Sequence, residues 1–99
     1  MRKKRGQKLK VSPSFRAATK RIPWPDILAA LGIAPPNEGQ RYITCPFHRE
    51  RTPSLALHPH GFCCFGCGKQ GSKFRFILLC KNFSLPRAVK FVRRRWNIR

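Results

Sequence analysis

Acidic side chains are almost missing from this sequence: three Asp and Glu stand against 22 Lys and Arg, a formal charge of +19 over 99 residues. That shortage excludes whole classes of chemistry. Nucleotidyl transfer needs divalent ions held by clustered carboxylates, and Asp26, Glu38 and Glu50 are scattered. Asp26 suits the start of a helix, and Glu50 has Arg neighbours to pair with, so the three acids assemble no magnesium site. A glycine-rich phosphate loop is also missing. So is any apolar run of transmembrane length. The basic stretch Met1–Lys10 is followed by no apolar segment of the kind a secretory signal carries. No amphipathic anchor points to a membrane surface, and no internal repeat is visible.

An even cysteine count is lacking too. Five cysteines with no signal peptide argue against a secreted disulfide framework. They fit a reducing compartment, the cytoplasm with its nucleoid, where thiols bind metal. A chain of this length supports one domain with a small core, and a metal staple is the usual remedy. Nine Pro and seven Gly add the expectation of a loop-rich structure.

The charge that is present needs a partner. At +19 a compact monomer repels itself unless a polyanion screens it, and the common polyanion is nucleic acid. Residues 1–22 hold Arg2, Lys3, Lys4, Arg5, Lys8, Lys10, Arg16, Lys20 and Arg21 with no acid. This block reads as a disordered arm that meets a phosphate backbone, or more blandly as a solubility or import tail. A folded domain is expected from residue 23 to residue 99.

Within that domain the pattern is α+β. Residues 24–32 read as a short helix, with Pro25 in the first turn, Asp26 against the N-terminal dipole and Gly32 at the end. Short strands are expected at 41–44, 54–57 and 61–64, separated by turn residues, which makes an antiparallel meander. From Ser72 the periodicity turns helical around Phe74, Phe76, Ile77 and Leu78. Asn82-Phe83 breaks that helix and Ser84 caps another. Its apolar side is Leu85, Ala88, Val89, Val92 and Trp96, and Arg87, Lys90, Arg93, Arg94 and Arg95 cover much of the rest.

Two pairs of metal-ligand type stand out, Cys45-Pro-Phe-His48 and Cys64-Phe-Gly-Cys67. Each has two intervening residues, so one tight turn aims both side chains at one ion. Fifteen residues between the pairs leave room for a hairpin. Three thiolates and one imidazole complete a tetrahedral shell, the pattern of one closed structural zinc site with no position left for water. Cys63 competes with Cys64, but its gap to Cys67 is less usual for a zinc turn. Cys80 reads as a small buried hydrophobe. His58 and His60 lie in a turn and read as exposed.

Single strands are held by basic grooves with aromatic stacking platforms. The metal region offers Arg41, Arg49, Arg51, Lys69 and Lys73 as phosphate contacts. Some of the aromatics must be core, and for each taken alone core or knuckle packing is favoured over base stacking; Tyr42 and Phe62, on strands, are the better stacking candidates. Phe47 and Phe65, inside the ligand turns, are expected to pack against each other over the zinc.

The segment Cys45-Pro-Phe-His48-Arg-Glu50-Arg-Thr52-Pro53-Ser54 together with Cys64-Phe-Gly-Cys67-Gly68, Gly71 and a helix containing Phe76 resembles the zinc-binding domain of bacterial and phage DnaG-type DNA primases. The likeness covers roughly residues 23–96, with Ser72 where that family usually has Asp. It implies a zinc ribbon with flanking helices that holds single-stranded template while a separate catalytic domain makes the primer. Read alone, the sequence is then a free-standing, non-enzymatic finger of a phage or mobile element, working with a catalytic primase or helicase in trans. Two other readings fit the charge: a regulator that lays its basic last helix in duplex DNA, and a structural RNA-binding protein.

Overall fold

Residues 12–47 and 53–98 are described by a computed structural model of the protein. Among them, four helices and four strands run α1 Pro13–Arg21, α2 Trp24–Leu31, β1 Tyr42–Ile43, β2 Leu55–Leu57, β3 Gly61–Cys64, β4 Gln70–Ser72, α3 Lys73–Lys81 and α4 Leu85–Trp96. The strands form one antiparallel sheet in chain order. The α+β meander expected from the sequence is therefore present, with one helix and one strand more.

The additional helix changes the reading of the basic arm. Residues 13–21 do not form a disordered arm. Ser12 caps α1 by accepting from the Phe15 amide at 3.2 Å, and Pro13 opens its first turn. Phe15 is 1% exposed and Ile22 is buried. An apolar anchor every few residues outweighs self-repulsion among Arg16, Lys20 and Arg21, whose charges stay at the surface. Residues 1–11 lie outside the described residues.

Alternation sorts the sheet into two faces. Register pairs Ile43 with Leu55, Leu55 with Cys64 and Leu57 with Phe62. All five side chains are buried on the inner face. The other face carries the row Tyr42, Ala56, Cys63 and Gln70, each paired with the next. Gly61 lies opposite Ser72 at the edge, where any Cβ would run into the Gly71 carbonyl. The fourth strand was invisible in the sequence because Gln70-Gly71-Ser72 has no apolar alternation at all.

Helix α3 lies at the centre, touching α1, α2, α4, β3 and β4. Its Phe76 and Ile77 are fully buried with Ile27 and Leu28 of α2 and Ala88 and Val92 of α4. Phe76 is the hub of an aromatic cluster, with ring centroids 5.0 Å from Trp24, 5.2 Å from Phe62 and 5.7 Å from Phe47. The Trp24 indole N–H donates to the His58 carbonyl at 2.6 Å, tying α2 to the β2–β3 turn. Ser72 caps α3 through the Arg75 amide at 3.1 Å.

Candidate metal centre and nucleic-acid interface

Two turns carry the sulfurs. The first follows β1: Cys45 is buried, and its sulfur accepts from the Phe47 amide at 3.4 Å. The second follows β3: Cys64 is buried at the strand end, and the chain turns back over Cys67. Gly68 closes that turn with φ +81°, a conformation other residues rarely adopt, and its amide donates to the Cys64 carbonyl at 2.9 Å. The Ser54 hydroxyl lies 3.5 Å from the Cys64 sulfur.

The sulfurs of Cys45, Cys64 and Cys67 all lie within 4.8 Å of one another, and those of Cys45 and Cys67 are 3.8 Å apart. Two thiolates at zinc bond lengths and a tetrahedral angle sit about 3.8 Å apart, so this donor set fits a zinc ion. Cys63 stays outside the cluster because neighbouring strand residues point to opposite faces; it pairs with Gln70 on the outer row. His48, Arg49 and Arg51 lie outside the described residues.

Cys45 and Cys64 are shifted in opposite directions. Burial pushes Cys45 up to about 12; the Phe47 amide opposes the shift, and the adjoining Cys64 and Cys67 reinforce it. Burial also pushes Cys64 upward, but the Ser54 hydroxyl, the amides of Cys67 and Gly66 and the Cys45 thiol more than offset it, bringing Cys64 down to about 6. The Ser54 hydroxyl and the Cys67 and Gly66 amides are donors that a thiolate at Cys64 can accept from. Cys80 is half-buried on α3, and burial pushes it up to about 12, in keeping with a small apolar filler.

The residues expected to meet nucleic acid divide. Arg41 and Lys69 are exposed. Tyr42 is 40% exposed on the outer face. Phe62 is corrected: at 3% exposure, between Phe47 and Phe76, it offers no free ring face. It shares the inner parity of Cys64, which pulls it into the core. Lys73 is corrected as well. It is only 5% exposed, and its ammonium donates to the carbonyls of Lys20 at 2.9 Å and Ile22 at 2.6 Å. Burial lowers its pKa from the ordinary lysine value, and its charge is spent on the C-terminal end of α1.

Phe65 is placed differently from the expectation. It does not pack on Phe47, which turns inward to Phe62 and Phe76 instead. Phe65 is 69% exposed, and its ring lies 6.4 Å from that of Tyr42. The signal was available: Phe65 follows the inward-facing Cys64, so the start of the turn carries it outward. His60 is exposed, and His58 is half-buried at the Trp24 contact.

A two-knuckle sheet with a cluster of three sulfurs and helices stacked on one face defines a zinc-ribbon domain. The chain belongs to the CHC2 zinc-finger family of DnaG-type primases, which matches residues 13–99. It is 37% identical over 78 residues to the DNA primase of Halalkalibacterium halodurans, covering 74% of this chain and 13% of that protein. It is 43% identical over 56 residues to the DNA primase of Clostridium acetobutylicum, covering 54% of this chain and 9% of that protein. The fold resembles the zinc-binding and RNA polymerase domain structure of Aquifex aeolicus primase, with a TM-score of 0.68 and 27% identity over 89% of this chain and 23% of that one. The chain thus spans roughly a tenth of the curated relatives, and the matched region is their zinc finger, not their polymerase. Among the described residues, no helix is long and apolar enough to cross a membrane.

Proposed function

We propose that this domain holds single-stranded template for primer synthesis by a catalytic primase acting in trans, with a helicase as the other partner to consider. Zinc is held by Cys45, Cys64 and Cys67 with His48 as the fourth ligand, and its role is structural. The observation that carries the reading is the exposed Tyr42–Phe65 pair in the segments that carry the sulfur turns, where Arg41 and Lys69 are also exposed. Exposed aromatic rings among cations are what a single strand needs: bases stack and phosphates pair. Arg49 and Arg51 extend that basic set by sequence. Bound to nucleic acid in the cytoplasm of a phage- or plasmid-bearing cell, the chain keeps its thiols reduced and its charge screened.

The duplex reading rests on α4, whose Arg87, Lys90, Arg93, Arg94 and Arg95 are exposed. Three of those guanidiniums already lie over the protein's own rings: Arg87 is 4.9 Å from the Phe83 centroid, Arg93 is 5.7 Å from Phe15 and Arg95 is 5.3 Å from Trp96. Such stacked cations are less free to follow a groove, so we favour the strand. Competition of the zinc-loaded protein among single-stranded DNA, duplex DNA and structured RNA tests this. Preference for the single strand is expected, and preference for structured RNA or duplex replaces the reading. A primer assay tests the partner. A catalytic primase should change its start site or rate when the domain is added, and no change refutes the accessory role.

A further inference from the structure

A cleft of about 440 Å³ opens between α1 and α3 and is lined by none of the sulfur-cluster residues. Its volume is that of a small-molecule site. Two chemistries meet there. Phe74, Leu78 and Leu85 are half-buried apolar side chains on its walls. Arg16, Lys20 and Arg75 are exposed cations along it, and its lining contains no carboxylate.

The walls are fixed rather than loose. Lys73 joins them by donating from α3 to the carbonyls that end α1, and Phe15 meets Phe74 edge to face at 5.5 Å. Arg75 is held at its root, because its side chain packs where a Cβ on Gly71 would stand. Two of the cations, Arg16 and Lys20, lie four apart on α1, so they share one helix face.

A ligand that satisfies this cleft has a flat apolar body and a compact anion. We propose that the α1–α3 cleft is a nucleoside phosphate site, with the base against Phe74, Leu78 and Leu85 and the phosphate between Arg16, Lys20 and Arg75. Guanidinium forks match phosphate oxygens, and any π-face accepts the apolar wall. The site is separate from the Tyr42–Phe65 surface and stands or falls without it. The nucleoside phosphate can be a free nucleotide or one residue of a strand.

The experiment is a titration of the zinc-loaded, ¹⁵N-labelled full chain with ATP, followed by amide shifts and by calorimetry. Shifts should concentrate at Thr19, Arg75 and Leu78. Arg75→Glu and Arg16→Glu should each weaken ATP by about tenfold or more, the factor that a missing charge-assisted hydrogen bond carries. Both positions are exposed, and unchanged zinc content and melting temperature verify the fold. Inorganic triphosphate should bind about tenfold more weakly than ATP, because it lacks the base. An oligothymidylate that displaces ATP from the cleft assigns the site to a strand, and one that binds alongside ATP assigns it to the free nucleotide. Shifts confined to the sheet, an unaltered affinity in Arg75→Glu, or equal binding of triphosphate and ATP would each overturn the assignment.

Discussion

Two groups of aromatic rings share the metal end of this protein, and they do opposite things. Phe47, Phe62, Phe76 and Trp24 close on one another at 5.0–5.8 Å inside the sheet. Tyr42 and Phe65 meet on the outside with 40% and 69% of their surface open. The two groups interleave in sequence: Phe47 and Phe65 each sit in a turn next to a metal-type cysteine. What separates them is geometry set by the sulfurs. The first knuckle presents Phe47 to the core and so couples the metal site to the hydrophobic cluster. The second knuckle leaves Phe65 outside and so couples the metal site to the surface.

The largest break in that comparison should come from the sulfurs themselves. Cys64→Ala or Cys45→Ala should lose zinc and fold together, since zinc binding coupled to folding is worth about 10–16 kcal/mol in small domains. Cys63→Ala, on the outer row, should keep zinc. Metal content and circular dichroism read both, and the reverse pattern overturns the ligand assignment. Next in size, Phe76→Ala should cost about 3–5 kcal/mol of stability, the usual penalty for removing a buried Phe. Phe65→Ala should stay within about 0.5 kcal/mol, as exposed substitutions do. Denaturant melts of the zinc-loaded proteins compare the pair directly. Gly61→Ala forces a Cβ into the Gly71 carbonyl and should cost about 1–3 kcal/mol, loosening the β3–β4 edge and not the knuckles. The smallest effect concerns residues 1–11. Their removal takes six basic side chains and should flatten the salt dependence of single-strand binding by about 0.7 in log–log slope for each phosphate that is no longer neutralised. An unchanged slope would mean that this segment touches no phosphate.

Much of this was legible in the sequence because its signals are local. Ligand spacing, the helix ends at Ser72, Ser84 and Gly32, and the apolar stripe of α4 each depend on a few neighbours, and the elements follow them. The errors fall where distant contacts decide. Helix α1 was hidden by its charge, although Ser12-Pro13 and Phe15 were there to be read; the deciding fact is that Lys73 meets carbonyls 51 and 53 residues away and Phe15 meets Phe74, all distant in sequence. Lys73 looked like a phosphate contact because charge usually means surface, and only tertiary structure shows two carbonyls waiting for it. Phe62 is buried and Phe65 exposed, the reverse of what the sequence suggested, because alternation along β3 was not carried through into the turn. Strand β4 has no apolar alternation and exists because β3 offers it a ladder.

The central claim is that the zinc knuckle builds an exposed stacking surface separate from the core. It is tested most directly by single-strand affinity of the zinc-loaded Phe65→Ala protein, measured by fluorescence anisotropy alongside its melting temperature. Loss of one stacked base should weaken binding by about 1–3 kcal/mol, roughly five- to 150-fold, while zinc content and melting temperature stay at their original values. Unchanged affinity in a folded, zinc-loaded Phe65→Ala protein would contradict the account.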